Sequence, residues 1–335
     1  MGKTLHMKKL SLLFAFTAAF GIQAVSAQYT DVINSNRPGG SASAYAVGKN
    51  VLQLETGLLL ERQEHDLLRT ESNIFGGDFA LRYGFLFEEL EIIWEGTFVR
   101  QKITDNSTSP SVTGTQSNFT EHAIGARYLI YDPYKKERKP NLYSWKANNS
   151  FKWSDLIPAI SIYAGANLNL DQEKSFFPND PIISPRVMLA TQSHLGPRWV
   201  FVSNIIYEKV TSDDPVFNYI LTLTHSLPNP KYSVFVEHQG FKSDAYGDGF
   251  FRGGAARLIN KNFQVDASLG INIKNTPSRI FGQAGFSYRL DNHKDEFKAI
   301  DNVPDQDKDA LKDAKKTKKR KKKNKNPFED NGNTL

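Results

Sequence analysis

The sequence predicts an all-β protein: a closed antiparallel transmembrane β-barrel of about twelve strands, followed by a disordered, basic C-terminal tail. Three observations carry that expectation. Residues 263–274 alternate without interruption, with Phe263, Val265, Ala267, Leu269, Ile271 and Ile273 on one face and Gln264, Asp266, Ser268, Gly270, Asn272 and Lys274 on the other. Successive strand side chains point to opposite faces, and in an outer-membrane barrel the apolar face meets lipid while the polar face lines the lumen. The N-terminus is a secretory signal: Lys3, Lys8 and Lys9, then apolar Leu10 to Phe20, then Val25-Ser26-Ala27 as a small-residue cleavage site. Finally, most strand-like segments reach ~10 or more residues, longer than the usual ~5–6 and enough to cross a bilayer when tilted.

The elements follow in order. Residues 1–27 are the signal peptide, with Met7 as an alternative start, and its apolar run is too short to span a bilayer as a helix. Residues 28–49, rich in Asn, Ser, Gly and Ala, leave two readings open: a disordered periplasmic leader, or a plug folded into the lumen with Arg37 meeting inward carboxylates. The barrel spans 50–290, with strands expected near 50–62, 74–84, 89–101, 118–130, 158–170, 184–195, 198–210, 215–227, 231–242, 249–260, 263–275 and 280–290. Tight turns such as Gly196-Pro197, Pro228-Asn229-Pro230 and Lys261-Asn262 alternate with longer polar loops, and 63–73, 102–117 and 171–183 are the longest of these. If the first strand starts in the periplasm, every tight turn is periplasmic and both termini are too, the asymmetry of bacterial barrels. Residues 131–157 break the rule as a long periplasmic insert with a basic start, expected to be partly ordered and helical. The terminal strand carries a polar-x-Gly-x-x-aromatic-x-hydrophobic pattern in Gln283, Gly285, Tyr288 and Leu290, which reads as a barrel-assembly signal.

Charge is unevenly placed. The formal net charge of +6 falls to +3 without the leader's three lysines. The nine Lys/Arg of 315–325 leave −6 on the remainder. A mean hydropathy of −0.46 would suit a soluble protein, but barrels hide from hydropathy because half of each strand is polar. The chain has no Cys, so there is no disulfide framework and no thiolate metal site.

Asn36-Arg37-Pro38 near the start, Gln53-Leu54-Glu55-Thr56-Gly57 in the first strand and Leu81-Arg82-Tyr83-Gly84 closing the second carry a resemblance. The chain resembles, over roughly 30–290, the outer-membrane "transporter" family labelled as the putative MetA-pathway of phenol degradation. The resemblance implies a barrel of about twelve strands and a link to phenolic compounds. That family has Asp before its Arg-Pro where this chain has Asn36, and the basic tail is not part of its pattern.

No enzymatic activity, cofactor or metal site is expected. There is no Gly-x-Ser-x-Gly, His-Glu-x-x-His or phosphate loop, and the His residues stand singly. By alternation the inward, lumen-lining candidates are Glu55, Arg82, Glu89, Glu91, Glu95, Arg127, Arg186, Glu237, Arg257, Asp266 and Arg289, together with Asp78, Glu121 and Glu208. Charges on the lipid-facing parity would cost ~2–4 kcal/mol near the midplane, which makes their parity informative. Two readings stay open: a cation-favouring pore lined by Glu55, Glu89, Glu91 and Glu95, or an Arg–carboxylate network that fills the lumen.

The expected function is a passive outer-membrane channel for small solutes in a Gram-negative envelope. The alternative is an accessory barrel of an export or barrel-assembly complex, docked through 131–157 and the tail 291–335. Expected partners are outer-membrane lipid, the barrel-assembly machinery during insertion and, through the basic tail, other envelope proteins or peptidoglycan. Nucleic acid is not expected, because the Lys/Arg run lies behind a signal peptide.

Overall fold

The computed structural model describes residues 30–135, 143–144, 153–177 and 179–294. The signal peptide, most of the insert and the tail from 295 onward lie outside the described residues. Twelve antiparallel strands run in sequence order around a closed barrel. They are β1 (Val51–His65), β2 (Thr70–Gly84), β3 (Leu90–Asp105), β4 (Val112–Tyr131), β5 (Ala159–Leu168), β6 (Ile183–His194), β7 (Trp199–Glu208), β8 (Val216–Ser226), β9 (Tyr232–Lys242), β10 (Gly247–Asn260), β11 (Phe263–Asn272) and β12 (Ser278–Asp291). Closure comes from β1 against β12, in register from Val51↔Asp291 to Glu64↔Ser278. A closed sheet leaves no unpaired edge, the condition for a β-structure to sit in lipid.

The sides are inverted relative to a soluble protein. Leu58, Leu60, Val236 and Leu269 are at least 60% exposed, whereas Glu55, Arg82, Glu91, Arg127 and Arg289 are 2% exposed or less. An apolar exterior around a polar interior is the signature of an outer-membrane barrel. On β11, Leu269 and Ile271 face out while Asp266 and Ser268 are buried inside.

The barrel has two unlike rims. The terminal rim gathers residues 30–33, the β2–β3 turn, the described ends of the insert and the tight turns 195–198, 227–231 and 261–262. Gly196 supports its turn with a φ of 97°, a conformation that other residues rarely adopt. The described part of the insert includes a 3-10 turn at Trp153–Leu156, pinned where Ser193 Oγ donates to the Leu156 carbonyl at 3.2 Å. The loop rim carries 66–69, 106–111, 169–182, 209–215, 243–246 and 273–277.

The loops expected at 63–73 and 102–117 shrink to 66–69 and 106–111, because β1 to β4 extend to 15–20 residues. Beyond the lipid both faces of a strand are polar. Segments such as Val112–Gln116 therefore lose the contrast that marks a strand in sequence.

Candidate functional site

Five inward carboxylates, Glu55, Asp78, Glu91, Glu237 and Asp266, grip residues 30–50, which enter at the terminal rim, sweep around the lumen wall and leave into β1. Arg289, 2% exposed, marks the start and donates to the carbonyls of Thr30 and Asp31 at 2.7 Å. Ile33 N–H then bonds the Lys261 carbonyl at 2.8 Å. At the far end Asn50 N–H bonds the Gly84 carbonyl at 3.0 Å, and Gly48 and Asn50 both hold positive φ where the chain turns into β1.

Between these anchors the segment adds no strand to the sheet, and its polar contacts to the wall run through wall side chains. Asn36 N–H donates to Glu55 at 3.2 Å. Gly40 N–H donates to Glu237 at 3.0 Å and Ser41 N–H to the same carboxylate at 3.3 Å. Asn204 clasps Ala42 from both sides, accepting its N–H at 2.7 Å and donating to its carbonyl at 2.9 Å. Ser43 Oγ donates to Gln192 at 2.8 Å, and Val47 N–H to Glu91 at 2.9 Å. Inside the loop Asn36 Oδ1 accepts Ser43 N–H at 2.9 Å. That acceptor role needs only a side-chain oxygen, so Asn serves where the resembling family has Asp.

Arg37 lies at the head of the loop. Its guanidinium pairs with Asp78 on β2 and approaches Asp266 on β11 at 3.2 Å. Gly57 and Gly285 face one another across the β1–β12 seam and make room for it. A Cβ on Gly285 would sit 2.5 Å from Arg37 Nη2, and one on Gly57 would sit 2.7 Å from Arg37 Cζ. Gly285, which the sequence assigns to the assembly pattern, thus also shapes the lumen; Gln283 shares its inward face, while Tyr288 and Leu290 point outward and are exposed.

Around the segment the charges pair with one another. Arg82 lies between Glu55 and Glu91, 3.0 Å from each, and Arg127 closes on Glu91. Arg252 pairs with Glu237. Nearer the loop rim Arg186 meets Glu95 at 3.1 Å, Glu121 at 2.5 Å and Glu208 at 3.8 Å. Glu89 is buried in the β2–β3 turn at the terminal rim, away from the lumen centre.

One residue requires correction. Arg257 faces outward, exposed, with its guanidinium 5.5 Å from the Tyr232 ring centre, and Arg252 is the inward arginine of β10. The run Gly253-Gly254-Ala255-Ala256 carries no polar contrast, and the adjacent Phe250 and Phe251 face opposite ways, so parity on this strand is unreadable from sequence. Sequence reasoning also missed Asn204 and Gln192. Asn204 had a signal, as a lone amide within the apolar run of β7.

Above the segment lies a cavity of about 910 Å³, reaching from Arg37–Ala42 to the loops 169–182 and 243–246. Its wall includes an inward apolar cluster, Leu59, Ile74, Val99, Phe250 and Phe281, backed by Phe176 and Phe241. Over it, burial and a hydrogen bond to Asp248 push the Tyr246 hydroxyl up to about 12, so it remains a neutral donor. Asp214 ties two loops together by accepting the N–H groups of Asp244 and Ala245 at 2.8 and 3.1 Å.

No group of three or more His, Cys, Asp or Glu arranged to hold a metal occurs among the described residues. No curated protein matches the chain. Solved structures similar to it include the COG4313 outer membrane channel from Pseudomonas putida F1, at 10% identity and a TM-score of 0.47, covering 77% of this chain and 100% of that one. The KdgM porin in complex with disordered oligogalacturonate matches at 11% identity and 0.39, covering 71% and 99%. The CymD monoaromatic hydrocarbon channel matches at 9% and 0.37, covering 73% and 90%. At such scores none of these likenesses bears on function. The model of the family described as "Putative MetA-pathway of phenol degradation" matches residues 35–290, from the Arg37 loop to the closing strand, and this chain belongs to that family.

Proposed function

We propose that this protein is a passive outer-membrane channel for small solutes, non-enzymatic, with both termini in the periplasm and a closed resting state set by residues 30–50. One observation carries the reading. Between its two anchors the segment is held by side-chain contacts under a cavity of about 910 Å³, and it shares no ladder with the wall. A ladder strand would have to be stripped from the sheet, whereas side-chain bonds can pass to entering water one at a time. Displacing the segment bares Glu55, Glu91 and Glu237, each already paired with an arginine. Arg37 leaves with the segment, so Asp78 and Asp266 lose their cation and the opened lumen would favour cations.

Planar-bilayer recording tests this. The full chain should conduct rarely. Deleting residues 33–46 should raise the time-averaged current about tenfold or more, equivalent to ~1.4 kcal/mol of lost closing energy. A deletion variant that runs as a folded, SDS-resistant band yet passes no current would overturn the channel reading.

A further inference from the structure

The outward faces of β1 to β3 carry a feature that conduction does not use. On β3 the exposed outward residues run Ile92, Trp94 and Phe98, then change to Arg100 and Lys102. From Leu90 to Arg100 the strand climbs about 25 Å, at ~3.3 Å per residue and a tilt of ~40°, which is the height of a barrel's apolar band. The two cations therefore stand where that band ends at the loop rim. The register sets Arg62 opposite Asn73 and Asn73 opposite Lys102, with Leu60, Phe75 and Arg100 forming the row below.

The acids on this face belong to Arg62, which pairs with Glu64 at 2.6 Å and lies 3.7 Å from Glu71. The side chains of Arg100 and Lys102 make no ion pair or hydrogen bond among the described residues. The cluster is local. Toward the same rim the other strands expose Ile183, Tyr207, Phe217 and Ile273, with Lys242 on β9 standing singly beside Phe217. Beside the cations the outer wall holds a groove of about 540 Å³, lined by Leu60, Phe75, Leu269 and Ile280 and bordered by Arg62, Arg100 and Lys102.

Cations above an apolar groove fit an amphiphile with anionic headgroups and acyl chains in the same order. We infer that this face binds a phosphorylated, acylated glycolipid of the outer leaflet, with phosphate on Arg100 and Lys102 and one acyl chain along Leu60, Phe75, Leu269 and Ile280. Guanidinium and ammonium groups both take phosphate, the former bidentately. The inference rests on the orientation under Proposed function, in which the loop rim faces outward.

Native mass spectrometry of the full chain in detergent tests it, with bisphosphorylated lipid A as probe. The protein should retain one lipid A, and about tenfold less of the same lipid without its phosphates, a difference of ~1.4 kcal/mol. An Arg100→Gln/Lys102→Gln variant that stays folded on an unboiled gel should lose retention similarly, while Lys231→Gln/Arg257→Gln at the other rim should not. Equal retention of dephosphorylated lipid, or by the Arg100/Lys102 variant, overturns the site. Displacement of lipid A by millimolar inorganic phosphate alone would reduce it to an anion contact and overturn the glycolipid. Orientation is checked apart, with Leu67→Cys as the sole thiol in a Cys-free chain. Labelling of intact cells by an impermeant reagent supports the outer leaflet; protection from it overturns that leaflet's lipid and the orientation together, whatever the lipid A result.

Discussion

Arg37 ties the segment to two strands of the wall at once. Its guanidinium bridges β2 and β11 through Asp78 and Asp266, with the side chain of Asp266 fully buried. Gln264 adds a bond to its carbonyl at 3.1 Å. Removing one partner of a buried pair costs ~3–5 kcal/mol, because a carboxylate is stranded rather than merely released. Asp78 already borders the cavity, but the fully buried Asp266 can recover water only if the segment moves. Arg37→Gln should therefore loosen the segment without unfolding the barrel. The measurement is the rate at which Ser41→Cys reacts with a soluble thiol reagent, expected to rise at least about tenfold, the effect of ~1.4 kcal/mol. An unchanged rate would mean that Glu237, Asn204 and Glu91 suffice to hold the loop. The Arg-Pro motif was legible in sequence, but its two partners were not, since they meet it across 41 and 229 residues of chain.

Among the elements, β10 shows where reading a barrel by alternation succeeds and where it stops. On β11 every second residue is apolar, and the structure places that face outward throughout. Inward polar residues on β1 to β4 follow equally clearly from Glu55, Arg82, Glu91 and Arg127. Strand β10 offers two arginines of opposite parity, separated by small residues that suit either face. Only its register with β9, Arg252↔Glu237, decides. The two positions should then separate in function. Arg257→Gln should leave bilayer currents unchanged. Arg252→Gln should strip Glu237 of its cation, leaving it the Thr222 hydroxyl at 2.7 Å and the segment's N–H groups. Opening should become more frequent, because an unpaired carboxylate gains more from hydration than a paired one. Equal effects of the two substitutions would contradict the assigned parity. The apolar cluster in the upper lumen was unreadable for a related reason: Leu59, Ile74, Val99 and Phe281 sit on inward parity where a water-filled pore would be polar.

At the scale of the whole molecule, closure is complete before the basic tract begins. The β1–β12 ladder uses Ser278 to Asp291, and Arg289 ties that strand to Thr30 and Asp31. No ladder bond among the described residues needs anything beyond 294. A chain ending at Lys294 should therefore insert, resist SDS and show the same slow labelling at Ser41→Cys as the full chain. What it should lose is adsorption to anionic surfaces, since the nine Lys/Arg of 315–325 go with the tail. In the full chain that adsorption, measured by co-sedimentation with peptidoglycan or anionic vesicles, should weaken with salt as the screening length falls from ~10 Å at 0.1 M to ~3 Å at 1 M. Replacing the run by glutamines keeps its length while removing its charge, so it should match the truncation in adsorption. A truncated chain that fails to fold would assign the tail to assembly; one that sediments as well as the full chain would place the anion contact on the barrel itself, where Lys231, Arg257 and Lys261, exposed at the terminal rim, would be substituted next.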